Sequence, residues 1–532
     1  MFPVRRFLII LGIAALASLP GCQDVSAPQH QPPPAPPVAR VWVAPLAIHL
    51  LVGATGIVWG FAHDLAGGAL WDSLVTWKTS DPGVAAVLDQ GHEVRVEGRG
   101  PGVAVVIASS GGKESAPILV TTLPAADLQA ISVGFLHTCA VSAARTAYCW
   151  TADDVNPQTF GLGHSLVSTG CARASGCASI PLPVNTTVSF ATVVAGWEHT
   201  CGLTPSGDAY CWGANGLDRG GTAAGAETCP DPDYPIRLVP CLSRPTRVSG
   251  GLTFVALSAG LFHTCGLTPE GEAACWGSNA MGLLGDTTAD AACVDIRWLI
   301  AAPCSATPVR VAGGLRFTTI AAGRTHSCAL TSEGTAYCWG SNSHGQLGVG
   351  SADTAAHAAP AAVGGDLRFV GLAAGATHTC GVVATEELYC WGSNEHAEVG
   401  DGLVPEACAI SSGGYLWEYC QLLPRHVAKN LRFRAVSLTE SNTCGITVGG
   451  AVYCWGLFPP GGGGGGGWHP PTPGYFPMPT EVSAVTAFAT ISNGGRLCGI
   501  GTDGIAYCAS KLVSMGSGTP AFFPLLRVPG QP

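Results

Sequence analysis

Fourteen of the 23 cysteines in this 532-residue chain form seven pairs, and every pair encloses nine residues. The pairs are Cys139/Cys149, Cys201/Cys211, Cys265/Cys275, Cys328/Cys338, Cys380/Cys390, Cys444/Cys454 and Cys498/Cys508. Within a pair the sequence runs strand, turn, strand, with turns such as Pro205-Ser206-Gly207-Asp208, the signature of a β-hairpin. Residues i and i+10 then face each other on antiparallel strands. A non-hydrogen-bonded pair there has its Cα atoms about 4.5 Å apart, within disulfide reach. Zinc is the competing use of paired cysteines, but structural zinc sites favour Cys-x2–4-Cys knuckles, and the chain has none.

Other residues recur in phase, which marks a repeat architecture. A Phe stands eleven residues before the first cysteine at Phe190, Phe254, Phe317, Phe369 and Phe433; Leu128 takes that place in the first repeat, and Phe488 is one residue closer in the last. Pro-x-x-Val begins twenty residues before it at Pro181, Pro245, Pro308, Pro360 and Pro424, and one residue closer at Pro479. Trp-Gly follows the second cysteine in five repeats; Trp150 lacks the Gly, and Ala509 replaces the Trp in the last. Composition agrees with an all-β, turn-rich protein. Only 11% of residues are charged, 47% are hydrophobic, and the chain has 73 Gly, 39 Pro and a net charge of −10. Disorder needs low hydrophobicity and high charge, and a nucleic-acid binder usually shows a basic balance, so both are excluded.

Two stretches show the repeat most fully. Ala322-Gly323-Arg324-Thr325-His326-Ser327-Cys328-Ala329-Leu330 and Ala336-Tyr337-Cys338-Trp339-Gly340-Ser341-Asn342-Ser343-His344-Gly345-Gln346-Leu347-Gly348 resemble the regulator-of-chromosome-condensation repeat family. The resemblance implies a seven-bladed β-propeller over residues 124–530. Pro524-Leu525-Leu526-Arg527-Val528 follows the seventh repeat. It is expected to close the ring by completing the sheet of the first repeat, since closure removes exposed edges.

Intervals between successive first cysteines are 62, 64, 63, 52, 64 and 54 residues. Each of the four long intervals holds one more cysteine pair: Cys171/Cys177, Cys229/Cys241, Cys293/Cys304 and Cys408/Cys420. These read as insertions stapled by their own disulfides, all lying between the Trp-bearing strand and the next Pro-x-x-Val, hence on one side of the ring. Loops on a rigid scaffold are where binding usually sits, and aromatic and Arg residues dominate hot spots. The candidate binding residues are therefore Tyr234, Arg237, Arg297, Trp298, Tyr415, Trp417 and Tyr419. The alternative is that they pack back to brace the loops. Gly461–Gly467 is a flexible low-complexity loop with no assigned chemistry.

The N-terminus suggests export. Arg5 and Arg6 precede an apolar run over Phe7–Leu19, too short to span a membrane and suited to a signal peptide. Leu19-Pro20-Gly21-Cys22 resembles a bacterial lipobox over residues 1–22, which implies lipidation at Cys22 and an anchor at the outer membrane or cell surface. An ordinary cleaved signal is the alternative. Residues 23–39 form a Pro-rich tether. Residues 40–123 alternate as strands around Trp77-Lys78-Thr79-Ser80-Asp81-Pro82-Gly83 and Gly100-Pro101-Gly102-Val103-Ala104. They resemble a bacterial immunoglobulin-like domain, group 2, which implies a small β-sandwich spacer. Val103–Ala108 reads as a strand buried on both faces.

The recurring His137, His199, His263, His326 and His378 are either structural hydrogen-bonding groups or a metal-binding ring. Asn442 and Arg496 at the equivalent positions favour the structural role. No nucleophile elbow, zincin or phosphate-loop motif is present. The expected function is a non-catalytic, lipid-tethered, monomeric surface module that binds an extracellular protein or glycan, with no cofactor, metal or nucleic acid. An extracellular glycan lyase or hydrolase, using a pocket at the mouth of the propeller's central channel, is the alternative. The guanine-nucleotide exchange of the family's namesake is not expected of an exported chain.

Overall fold

The computed structural model describes residues 36–123, 127–151, 181–222, 227–231, 237–288, 291–295, 300–402, 406–410, 417–458, 475–482, 487–494, 496–509 and 525–528. Among them are nine β-sheets and two single-turn 3-10 helices.

The first two sheets face each other. One joins Arg40–Ala44, Thr55–His63, Glu93–Gly98 and Ala85–Val87; the other joins Ala47–Leu51, Ile118–Leu123, Gly102–Ser110 and Thr76–Thr79. Strand alternation turns Val41, Val43, Val58 and Val96 of one inward onto Ile48, Trp77, Val106 and Val120 of the other. Trp77 anchors this core. Its Nε1 donates to the Gly91 carbonyl at 2.8 Å, and a Cβ on Gly60 would lie 2.7 Å from the indole. Gly102–Ser110 differs from the two-face burial expected of it. Ala104, Val106 and Ala108 are buried while Val103 is exposed, because only one face of this sheet packs on another. Its outward β-branched residues reflect strand propensity rather than a second core.

Seven sheets follow, each built on one cysteine hairpin. In each, the two cysteines face each other on the second and third strands. All seven expected bridges form: Cys139–Cys149, Cys201–Cys211, Cys265–Cys275, Cys328–Cys338, Cys380–Cys390, Cys444–Cys454 and Cys498–Cys508, with Cα atoms 4.0 to 4.1 Å apart. Two of the insertion staples, Cys229–Cys241 and Cys293–Cys304, are also bonded. Cys420 is buried and disulfide-bonded, while the side chain of Cys408, expected to be its partner, lies outside the described residues, as do Cys22, Cys171 and Cys177. Four strands of each sheet run antiparallel in chain order, as in Thr319–Ala322, His326–Leu330, Ala336–Asn342 and Asp353–Ala362, and in three sheets an insertion strand adds a fifth at the outer edge. The Trp-Gly dipeptide marks a bulge. At Gly340 φ is 108° and the register to the fourth strand shifts, a conformation that favours glycine.

The Pro-x-x-Val segments end sheets rather than begin them. The N–H of Val184 donates to Ala147, Val248 to Ala209, Val363 to Ala336 and Val482 to Val452, each to the third strand of the sheet just completed. The expectation that the C-terminal segment completes the first sheet is therefore not met. Leu525–Arg527 pairs with Ala506–Ala509 in the seventh sheet, and Val528 donates to Ala506. The first sheet already has Leu182–Pro183 as its fourth strand. A fourth strand follows its own hairpin, so the pairing is local, and among the described residues no strand crosses the closure.

The ring closes by packing instead. The first strands of successive sheets are in contact, and the first strand of the seventh sheet meets that of the first. Apolar clusters lie between neighbouring sheets, including one that joins Leu128, Tyr148 and Trp150 to Ile500, Cys508 and Val528. Phe190 belongs to the second sheet but packs with Cys139, Cys149 and Val184 of the first. A Cβ on Gly202 would meet its ring at 2.5 Å, which explains the Cys-Gly pairs.

Buried hydrogen bonds latch the sheets together. Nε2 of His137, His199, His263, His326 and His378 lies 2.6 to 2.9 Å from the hydroxyl of Thr200, Thr264, Ser327, Thr379 and Thr443 on the next sheet. The Thr379 hydroxyl donates its one proton to the Gln346 carbonyl, and that of Thr443 to Glu398. His326 and His378 are therefore the donors. Asn493 donates to Asn442 at 2.7 Å, and Arg496 reaches the Thr151 carbonyl at 3.2 Å across the closure. The histidines are structural, as expected. Each Nδ1 is buried without a hydrogen-bond partner.

Burial lowers His137, His263 and His378 to about 4 and His326 to about 3, and His199 falls well below 6.5. In the unfolded chain imidazoles titrate near 6.5. Between about 6.5 and 4 the unfolded state thus binds more protons, and stability falls as pH falls. The thermal midpoint should drop across that window. His326→Asn, which places at 326 the residue already used at 442, should make the drop smaller when followed by circular dichroism. A Cys328→Ser/Cys338→Ser variant should lose about 2–3 kcal/mol in chemical denaturation. An equal loss in a Cys328→Ala/Cys338→Ala variant would assign the effect to this bridge and not to the serine hydroxyls.

Candidate functional site

The first and second strands of each sheet are joined by a tight turn at the centre of the ring. These turns begin Gly134-Phe135, Gly196-Trp197, Gly260-Leu261, Gly323-Arg324, Gly375-Ala376, Thr439-Glu440 and Asn493-Gly494, and together they line one central depression. They meet backbone to backbone. The N–H of Trp197 donates to Gly260 at 3.3 Å, that of Arg324 to Gly375 at 3.0 Å and that of Ala376 to Thr439 at 3.0 Å. A Cβ on Gly196 would lie 2.5 Å from the Gly260 carbonyl oxygen, and one on Gly375 2.6 Å from that of Thr439. The Ala-Gly of the repeat is needed because the turns touch here.

Above the glycines the next residue of each turn faces the depression. Phe135 and Trp197 stack with centroids 3.7 Å apart and planes 10° from parallel. The Arg324 guanidinium lies over Trp197, 5.3 Å from its centroid, a cation–π contact, and is ion-paired with Glu440. Burial pulls Arg324 below the usual guanidinium range. Both members of the ion pair are about 40% exposed, so the pair is open to a ligand. Sequence reading missed Phe135, Trp197, Arg324 and Glu440. The available signal was the position after the glycine, which changes from repeat to repeat while its neighbours do not.

The three insertions with described residues rise on the same side. In an antiparallel meander the first and third connections share one end. Here Ala214, Ser341 and Ser393, at the ends of third strands, donate N–H to Glu198, Thr325 and Thr377 of the central turns. Glu227–Pro230 pairs with Leu238–Arg247, Ala291–Asp295 with Ile300–Arg310, and Glu406–Ile410 with Trp417–Val427. In each hairpin the longer strand runs on to become the fourth strand of its sheet.

Of the proposed binding residues, Arg237 is ion-paired with buried Asp231, so it braces its loop. Tyr419 is half-buried, and its carbonyl accepts the Asn394 N–H at 2.8 Å. Trp417 pairs through its backbone with Ile410. Its side chain, with Tyr234, Arg297, Trp298 and Tyr415, lies outside the described residues. A second brace was not read from sequence: Arg219 is buried, donates to the Gly216 carbonyl at 2.8 Å, pairs with Asp295 of the third sheet's insertion and lies 3.6 Å from Glu198. Asp218 Oδ2 is 3.1 Å from Cys293 Sγ, and burial raises its pKa. The Cys293–Cys304 bond removes the thiolates a metal would need there.

Residues 190–218, 254–282, 317–346 and 369–398 match the regulator of chromosome condensation (RCC1) repeat, and a second form of that repeat matches 333–382. The chain is 28% identical over 291 residues to the RCC1 domain-containing protein RUG3, mitochondrial, of Arabidopsis thaliana, covering 52% of this chain and 57% of that protein. It is 27% identical over 272 residues to the Ultraviolet-B receptor UVR8 of the same plant, covering 50% and 52%. The chain thus spans about half the length of these relatives. Kap60-bound yeast RCC1 (Prp20) is similar in structure, with a TM-score of 0.53 and 21% identity, covering 70% of this chain and 79% of that one. Human WBSCR16 gives 0.50 and 17%, covering 70% and 89%. At these identities the likeness speaks to fold alone. The chain therefore carries RCC1 repeats, and its cysteine-paired sheets take the propeller-like arrangement of such proteins.

Proposed function

We propose that this chain is a non-catalytic binding module: a seven-bladed propeller over residues 124–530 that engages an extracellular protein. Residues 40–123 act as an immunoglobulin-like spacer, residues 23–39 as a tether, and Cys22 as a lipid anchor at the outer membrane or cell surface. The observation that carries the binding role is the half-open group of Phe135, Trp197, Arg324 and Glu440 at the channel mouth. Hot spots combine aromatic and Arg anchors in a partly shielded centre. A hydrolase would need a carboxylate free to act as acid or base, whereas Glu440 is neutralised by Arg324. The similar yeast RCC1 is seen bound to another protein, Kap60, which supports a protein over a glycan as the partner. A further relative, the E3 ubiquitin-protein ligase HERC2 of Homo sapiens, matches over only 6% of its length, so its activity does not transfer. The disulfide staples lower the ordering cost of binding by the surrounding loops.

The test immobilises the full chain and captures extracellular proteins, comparing wild type with Trp197→Ala and with Trp298→Ala/Trp417→Ala. Trp197→Ala should weaken capture by about 2 kcal/mol, roughly thirtyfold. Equal capture by wild type and both variants would remove the face as a binding site. Release of sugars from a glycan by wild type, lost on Glu440→Gln, would instead favour the enzyme.

A further inference from the structure

We propose that the outer face of the sandwich at residues 40–123 binds an uncharged polysaccharide, its sugar rings lying on Trp42 and Phe61 against Trp71. This surface is distinct from the channel mouth and does not depend on the reading given for it.

Alternation places these rings outward. Val41 and Val43 are buried on either side of Trp42, and Val58 and Ala62 flank the outward residues Trp59 and Phe61. Trp42 is opposite Phe61 across the strand pair. Their centroids are 6.2 Å apart and their planes are inclined by 31°, so they form a nearly continuous floor. Trp71 stands at 72° to Phe61 with centroids 5.2 Å apart, forming a wall. Trp42 is 51% exposed and Trp71 67%. An aromatic cluster left this open on one module marks an interaction site rather than a packing remnant.

The corner is preorganised. His92, just before the neighbouring strand Glu93–Gly98, stacks on Phe61, 5.3 Å away and 12° from parallel. Its ring nitrogens lie 2.9 Å from the Gly60 carbonyl oxygen and 2.8 Å from that of Trp71, which ties the Trp71 loop to the sheet. A ligand would find the rings already placed, at little ordering cost.

Charge identifies the ligand class. Arg95 holds Asp89 through two hydrogen bonds, at 2.8 and 3.0 Å, Arg99 holds Glu97 at 2.9 Å, and Glu93 accepts from the Trp59 indole at 3.1 Å. Nearest the rings, cationic Arg40 stands two residues from Trp42 on the same face and anionic Asp72 follows Trp71, so both signs are present and no one-sign field selects an acidic or basic partner. A pyranose matches such a surface: its C–H face is apolar and flat enough for an aromatic ring, and its hydroxyl rim can bond to a border of mixed polar groups.

The test is affinity electrophoresis and calorimetry of the full chain with a soluble β-glucan and β-mannan, with heparin as the anionic probe. The expected result is binding to an uncharged polysaccharide that added salt leaves unchanged. Trp42→Ala and Trp71→Ala should each weaken it at least about tenfold, Trp42→Phe should retain most of it because a ring remains, and Trp197→Ala should have no effect. Both tryptophans are exposed, and unchanged thermal midpoints would confirm that the variants fold. Binding to heparin alone, equal binding by the Trp42→Ala/Trp71→Ala double variant, or a patch that captures a protein but neither uncharged polysaccharide would each overturn the proposal.

Discussion

The hydrogen bond from the histidine of one sheet to the hydroxyl of the next is the contact on which the ring depends. A four-stranded sheet has two apolar faces and cannot bury them alone. Here each cluster is shared between neighbours, as where Phe190 meets Cys139 and Val184. Apolar packing is tolerant of sliding, since dispersion and area burial are non-directional. The His Nε2–hydroxyl bond is directional, and a displaced sheet would leave its buried donor unpaired at a cost of about 1–3 kcal/mol. The latch therefore sets the register between sheets that packing only holds together. The touching central turns limit their separation, because Gly196 and Gly375 leave no room for a Cβ.

This explains why so much of the fold was legible in the sequence, and where legibility stopped. Cysteine spacing reported a cross-strand pair, and Cys328 does face Cys338. The Phe, Trp-Gly and His positions recur because each answers a local geometric demand that every sheet repeats. The expectation that the C-terminal segment completes the first sheet fails for a physical reason. A periodic sequence defines the order of its strands but not which strand opens the unit. Hydrogen bonds such as that from Val184 to Ala147 show that the segment belongs to the hairpin before it. Once that phase is known, a C-terminal strand that crosses the closure is unnecessary. Arg496 and the cluster around Leu128 and Ile500 close the ring without one.

The candidate site was less legible because function sits where the repeat is not periodic. Phe135, Trp197, Leu261, Arg324, Ala376 and Glu440 occupy equivalent places and range from aromatic to aliphatic, cationic and anionic. A reading that seeks recurrence passes over them as noise, although a position that is free to vary inside an otherwise constrained turn is free to specialise. The insertions show the opposite failure. Arg237 has the composition of a hot spot, yet it is tied to Asp231. A binding anchor and a brace use the same residue types, and only the partner distinguishes them.

Rigidity links the two surfaces assigned to binding. At the mouth, the Phe135–Trp197 stack rests on turns that cannot move apart without breaking backbone hydrogen bonds to the next sheet. On the sandwich, His92 ties the Trp71 loop to the strand that carries Phe61. Exposed aromatic rings ordinarily lose entropy when a ligand fixes them, about 0.5–1.5 kcal/mol per immobilised side chain. Both surfaces meet that cost during folding, through contacts that do not involve the ligand. An aromatic group retained in water on a preformed support is difficult to explain by stability alone, because burying it would contribute more. Its exposure is accounted for when a partner completes the burial.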